Sequence, residues 1–213
     1  MKYILKNNLI LLSALIVLTF VLIFFTNRYI LTNDFYEKSS QPLSGDPALG
    51  NLVYQSLQKW IYLGAAIYLI VKISSITLVL YAGLYLFECS LSFSRVFKVV
   101  LLSEFIFLVP AAIKIAWFYF GSAASYLLAW QSFYVLSALS LFGPVGPDWF
   151  YALQTLNAFE IAYWFLLAYG LFKVSGLNYD KSLKVVLLSY VPALLIWVTI
   201  ITFCSLLMFP ATG

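Results

Sequence analysis

The sequence predicts an all-α membrane protein: a polytopic transmembrane helical bundle of about six spans, with an internal repeat of inverted sense. Three observations predict it. Apolar residues make up 64% of the 213-residue chain and charged residues only 9%, where soluble domains hold about half and about a quarter. So few charges cannot cover a surface in water, so the surrounding solvent is lipid. Six apolar stretches are each long enough to cross a hydrocarbon core of about 30 Å, which takes about 20 helical residues. Finally, Lys98-Val99-Val100-Leu101-Leu102-Ser103 recurs as Lys184-Val185-Val186-Leu187-Leu188-Ser189. No β-structure is expected, because an open sheet edge in lipid leaves backbone groups unpaired. The chain reads as one membrane domain over 1–213, with an N-terminal helix and polar loop (1–59) before a repeat-containing bundle (60–209).

The first span, 8–26, carries no charge from Leu9 to Phe25. Lys2 and Lys6 ahead of it have the look of a signal-peptide start. The apolar run exceeds a typical signal core, however, and Phe25-Thr26-Asn27-Arg28 is no small-residue cleavage site, so a helix is expected rather than a leader. Pro42, Gly45, Pro47 and Gly50 break helix and strand alike, which predicts a loop over 27–59 with a short amphipathic piece at 52–60. Spans at 60–87 and 97–120 follow, joined by a short basic turn. The fourth, 122–142, is uncharged, with Gln131 as its most polar interior residue. Gly143-Pro144-Val145-Gly146-Pro147-Asp148-Trp149 then forces turns, and Trp149 suits the headgroup level. Spans 157–173 and 183–209 complete the set.

The repeat extends beyond its six-residue core. Upstream, Leu86-Phe87 answers Leu171-Phe172, Ser90 answers Ser175, Phe93 answers Tyr179 and Arg95 answers Lys181. Downstream, Val109-Pro110-Ala111 answers Val191-Pro192-Ala193. Each copy reads as an apolar helix, a basic turn and a second apolar helix broken by proline. Pro110 and Pro192 each remove an N–H and free a carbonyl one turn earlier, at Ile106 and Leu188. They are therefore candidate hinges as well as packing features.

Three-span units in tandem must be inverted, because an odd number of crossings flips the second copy. The basic turns at 88–98 and 173–184 then lie on opposite sides. Positive charge favours 173–184 inside, together with Arg28, Lys38 and Lys59, leaving Lys2, Lys6, Arg95, Lys98 and both termini outside. In a rival arrangement 122–142 does not cross, and both repeat turns lie inside with Lys2 and Lys6.

Histidine is absent, and Cys89 and Cys204 sit near the ends of different apolar segments. They read as two free thiols, with no metal-ligand spacing and no disulfide framework. No His-Glu-x-x-His, nucleophile elbow, aspartate-rich cation site or P-loop is present, so neither an enzyme nor a cofactor is expected. The net charge of +4 bears on loop placement rather than on nucleic acid.

Ionisable residues inside a membrane are functional candidates by default. Here they are Lys72, Glu104, Lys114 and Glu160, with Glu88 at a helix end. Lys72 and Lys114 lie about 24 Å along their helices from the 88–98 turn, and both are expected to snorkel to one interface. Glu160 falls in the first turn of its helix, where the dipole favours a carboxylate and headgroups or water can solvate it. Glu104 lies about 9 Å deeper than Lys98, and its counterpart in the second copy is Tyr190. It is expected to be buried among helices, with Ser103, the carbonyl freed by Pro110, Ser189 or Tyr190 as neighbours. Lys72 and Lys114, about 15 Å away along the membrane normal, are not expected to reach it.

The region from about Trp60 to Phe209 resembles the Yip1 family of polytopic membrane proteins. The resemblance rests on Leu156-Asn157-Ala158-Phe159 opening a helix that runs through Trp164 to Gly170-Leu171, and on Ser92-Phe93-Ser94-Arg95-Val96-Phe97-Lys98-Val99-Val100 as the turn between two spans. It implies five spans over that region. Eukaryotic members bind Rab-type GTPases and shape secretory membranes. This sequence does not carry their long polar N-terminal region or Asp-Leu-Tyr-Gly-Pro motif, and Gly143-Pro144 is not that motif, which points to the bacterial branch and its cytoplasmic membrane. The expected function is a non-catalytic scaffold or accessory subunit of a larger membrane assembly. Its partners would be membrane lipids and other integral membrane proteins or a second copy, not nucleic acid. The alternative is a small transporter, channel or permease subunit built on inverted repeats.

Overall fold

A computed structural model describes residues 2–32, 35–36, 47–121, 127–142 and 145–208. The helices are α1 (Lys2–Tyr29), α2 (Pro47–Leu86), α3 (Phe93–Glu104), α4 (Leu108–Phe120), α5 (Leu127–Ser132), α6 (Pro147–Thr155), α7 (Ala158–Ser175) and α8 (Tyr179–Met208). Short 3-10 turns occupy Phe105–Phe107 and Ala138–Leu141. Among the described residues there is no strand, only an isolated bridge between Ser137 and Asn157. Five segments are long and apolar enough to cross a membrane: Asn7–Tyr29, Ser56–Leu86, Phe93–Phe120, Ala158–Ser175 and Tyr179–Leu207. The chain is an all-α polytopic membrane bundle.

Among the described residues the sixth expected span does not form. Within 122–142, residues 122–126 lie outside the described residues, and the rest is broken. The six residues of α5 rise only about 9 Å, and a turn and a 3-10 segment follow. Composition alone cannot separate such a stretch from a span, because its apolar side chains are used in packing. Phe133 stacks on Trp117 of α4, and Trp130 meets Phe118 of α4 edge-on. Further on, Leu136 adopts a left-handed φ of 52°. The backbone then pairs with the start of α7 through Ala138 N–H to Leu156 (2.8 Å) and Ala158 N–H to Leu136 (3.1 Å). The expected amphipathic piece at 52–60 is continuous with α2 rather than separate.

The described residues fall into two compact units. One draws on Leu12–Val71 and Leu108–Phe133, the other on Met1–Leu11, Lys72–Phe107 and Tyr134–Gly213. Aromatic contacts organise the first. Phe20 meets Tyr62 edge-on (5.2 Å), Tyr29 meets Tyr119 (5.6 Å), and the Lys114 ammonium lies 4.4 Å from the Trp130 ring centroid.

The second unit has a core of four helices: the C-terminal part of α2 with α3, α7 and α8. Its centre is aliphatic, with Leu80 and Leu84, Val96 and Val100, Leu167 and Leu171, and Val185 and Val186 fully buried. Local signals fix the helix ends. Asn157 caps α7 by accepting from the Glu160 N–H (2.9 Å), and Gly176 ends it in the left-handed conformation (φ 73°). Asn178 accepts from the Lys181 N–H (2.9 Å) at the start of α8. An Asn three residues before an N–H it can accept from is a standard start signal. Phe105–Phe107 interrupts the helix one turn before Pro110, where the ring displaces the backbone, while α8 stays α-helical through Pro192.

The two helical hairpins turn at the same end. The Cys89 thiol of the first turn lies 3.8 Å from the Ser175 carbonyl beside the second. The Asn8 amide reaches both the carbonyl and hydroxyl of Ser94 at 3.0 Å, so the start of α1 shares that end. This overturns the expectation that the basic turns lie on opposite sides. The inverted sense depended on a sixth crossing; without it, both hairpins run in the same direction.

Glycines set the hairpin contacts. A Cβ on Gly83 would fall 2.6 Å from Ser189 Cβ, and one on Gly170 would fall 2.5 Å from Val99 Cγ1. The Ser189 Cβ is fixed to the α8 backbone and cannot swing aside. Gly83→Ala should therefore separate α2 from α8 and cost about 1–2 kcal/mol, as overpacking does. In detergent unfolding experiments Ser189→Gly, combined with it, should recover most of the loss. Equal losses in single and double variants would rule out this contact as the cause.

Candidate functional site

The polar side chains of the second unit converge at its centre. Lys72 of α2 forms an ion pair with Glu104, the last residue of α3. Glu104 is 2% exposed, and the Lys72 side chain 24%. The Lys72 ammonium also sits 4.0 Å from the Phe107 ring centroid. From there aromatic rings carry the contact onward, Phe107 to Tyr163 (5.0 Å) and Tyr163 to Tyr190 (5.6 Å). The Tyr190 hydroxyl donates to Glu160 Oε1 (2.7 Å), and the Trp164 indole N–H donates to the same oxygen (2.9 Å). One connected chain of contacts thus links α2, α3, α7 and α8.

Burial makes each of these bonds matter. Glu160 is 6% exposed and Tyr163 is fully buried. Glu160 lies within electrostatic reach of both Lys72 and Glu104. The Tyr163 hydroxyl approaches Glu104, but outside hydrogen-bond geometry, and it and Glu104 Oε2 lack a hydrogen-bond partner among the described residues.

Three expectations about this cluster are corrected. Lys72 does reach Glu104. Depth had been measured for Glu104 from Lys98, whereas α3 begins at Phe93 and α2 ends at Leu86. Counted from those ends, Glu104 lies about 16 Å and Lys72 about 21 Å from the turn, a gap that two long side chains close. Lys72 therefore pairs inside the unit rather than snorkelling to an interface. Glu160 is likewise enclosed by Tyr190 and Trp164, not solvated by headgroups. The other neighbours expected for Glu104 are engaged elsewhere: Ser103 bonds the Val99 carbonyl (3.0 Å) and Ser189 the Val185 carbonyl (2.6 Å).

Lys114 belongs to the other unit, over Trp130. Pro110 and Pro192 follow Phe107 and Tyr190 closely in sequence but supply no polar group. Trp164 was not anticipated, although its place one helical turn after Glu160 puts both on one face. Tyr163 and Phe107 left no signal beyond being aromatic.

Two cavities described in this unit, one between α3 and α7 and one between α6 and α8, are not lined by Lys72, Glu104 or Glu160. The first, near the hairpin turns, is of about 500 Å³ and the second of about 460 Å³. Tyr151 and Trp197 bond beside the second (3.2 Å). Among the described residues no three His, Cys, Asp or Glu side chains gather as a metal site, and both cysteines are free thiols. Protein-family models, curated proteins and solved structures contain no match to this chain.

Proposed function

We propose that the protein is a non-catalytic integral-membrane scaffold or accessory subunit, working through helix contacts within a larger membrane assembly. One observation carries this reading: the buried charges are used to hold helices together. Lys72 pairs with Glu104 across α2 and α3, and Glu160 accepts from Tyr190 across α7 and α8, inside the four-helix core. Meanwhile large apolar side chains such as Val17, Val21 and Phe24 of α1 stay exposed, and such faces pack against lipid tails or other helices. The resemblance to the Yip1 family over 60–209 points the same way.

We further infer that the two hairpins are copies of one unit, repeated in parallel. Val99 and Val185 hold the same place in the repeated hexapeptide, and each packs beside a glycine of the other hairpin, Gly170 and Gly83 respectively. Glu104 and Tyr190 are likewise equivalent, and each bonds a residue of the preceding helix in its own hairpin, Lys72 and Glu160. Positive charge then favours the shared turn end inside, with Lys2, Lys6, Arg95, Lys98, Lys173, Lys181 and Lys184 on the turn side of their helices. A bacterial cytoplasmic membrane suits this reading.

A small transporter is the second reading. It is favoured by the convergence of two acids and a lysine in the interior, with Glu104 Oε2 and the Tyr163 hydroxyl lacking a hydrogen-bond partner among the described residues. Such convergence is what a substrate or proton site needs. A photo-crosslinking residue at Val17, on the open face of α1, separates the two. The expected result in native membranes is a discrete adduct with a different integral membrane protein at near-stoichiometric yield. Adducts only with itself, together with ion-gradient-driven uptake in liposomes, would overturn the scaffold.

A further inference from the structure

The groove between α3 and α7 is charged at one end and aliphatic below. Arg95 and Lys98 stand on the first turns of α3, and Lys173 on the last turn of α7, so three cations meet at the rim. Among the described residues no carboxylate pairs with any of them. Glu88 and Asp180, near the same turns, are exposed and do not bridge to them. Lys173 rests against the faces of Tyr169 and Phe172, each 5.3 Å away, contacts that leave its N–H groups free to donate. Three unneutralised cations lining one groove repel one another, and an anion among them removes that repulsion.

The rest of the groove decides what kind of anion fits. The two helices meet closely at Val99 and Gly170, and that contact forms the floor. Beyond it the walls are Leu102 and Leu166, respectively 50% and 38% exposed. Leu102 lies seven residues beyond Arg95 and Leu166 seven before Lys173, so both walls reach about 10 Å below the rim. A soluble anion uses only the rim, and a neutral lipid only the walls.

We propose that this groove binds an anionic glycerophospholipid, its phosphate at Arg95, Lys98 and Lys173 and one acyl chain along Leu102 and Leu166. Basic clefts between transmembrane helices, at headgroup depth, are suited to this class of ligand. The site does not depend on the scaffold reading and would serve a transporter equally.

The full chain, purified and placed in phosphatidylcholine nanodiscs, tests it. Native mass spectrometry with added phosphatidylglycerol should show one retained phosphatidylglycerol, and thermal unfolding should shift upward. The variant R95Q/K98Q/K173Q should lose retention at least ten-fold while unfolding no lower than the wild type in phosphatidylcholine alone, since the repulsion among the three cations is gone. If that variant does not fold, Lys173→Gln alone should weaken retention several-fold. K181Q/K184Q removes two cations near the same end that do not line the groove, and should leave retention unchanged. Equal retention of phosphatidylcholine, equal loss in K181Q/K184Q, or unchanged retention in the groove variants would each overturn the site. Inorganic phosphate at millimolar concentration should neither stabilise nor compete. If it did both as well as the lipid, the rim would be an anion site without lipid specificity, and the proposal would fail.

Discussion

Lys72→Met should be the most damaging single substitution in the chain, costing about 3–5 kcal/mol. It strands Glu104, 2% exposed, as an unpaired charge within the helices, and removing one member of a buried pair costs that much. Glu104→Leu should cost less, because the Lys72 head retains partial exposure and the Phe107 ring. It should disturb assembly or transport without preventing membrane insertion. The double variant Lys72→Met/Glu104→Leu should regain most of the loss, since two apolar side chains replace a pair whose desolvation offset much of its attraction. Unfolding by denaturing detergent in mixed micelles measures all three. Losses that simply add in the double variant would show that the two residues do not act as a pair.

Glu160→Leu should follow, at about 2–3 kcal/mol. It leaves the Tyr190 hydroxyl and Trp164 indole N–H without their acceptor, and hydrogen bonds between membrane helices are worth up to about 1.7 kcal/mol each. Glu160→Gln should cost much less, because an amide oxygen accepts the same two bonds. Tyr190→Phe removes one donor and should fall between them. If Glu160→Gln proved as damaging as Glu160→Leu, charge rather than hydrogen bonding would be the binding feature.

The five helical segments were legible in the sequence because each is a long apolar run between breakers, and lipid permits little else for such a run. The failures had specific causes. Residues 122–142 look like a span because Trp130 and Phe133 count as apolar whether they face lipid or pack on α4. The expectation of oppositely directed hairpins followed from that one error. The Lys72–Glu104 pair was missed because Lys98 stood in for the helix start, and a shift of five residues is more than one turn. The cap at Asn157 with Glu160 three residues on was visible as a helix start, but its further tie to Tyr190 depends on how α7 and α8 pack. The cations at Arg95, Lys98 and Lys173 were visible as turn charges. Only the crossing at Gly170 and Val99 shows that they share one groove.

Each hairpin keeps its costly polar contact to itself. Lys72 meets Glu104 across α2 and α3, while Glu160 meets Tyr190 across α7 and α8. During synthesis the first hairpin can therefore leave the insertion machinery for lipid with its buried Lys72–Glu104 pair already made, before the second has been translated. The second arrives with Glu160 already bonded to Tyr190 and Trp164. What remains for the meeting of the two is the fitting of glycine against small side chain, which exposes no charge while it waits. The order of chain emergence and the order of polar satisfaction thus coincide, and a nascent half-protein already holds its buried carboxylates in bonds of its own hairpin.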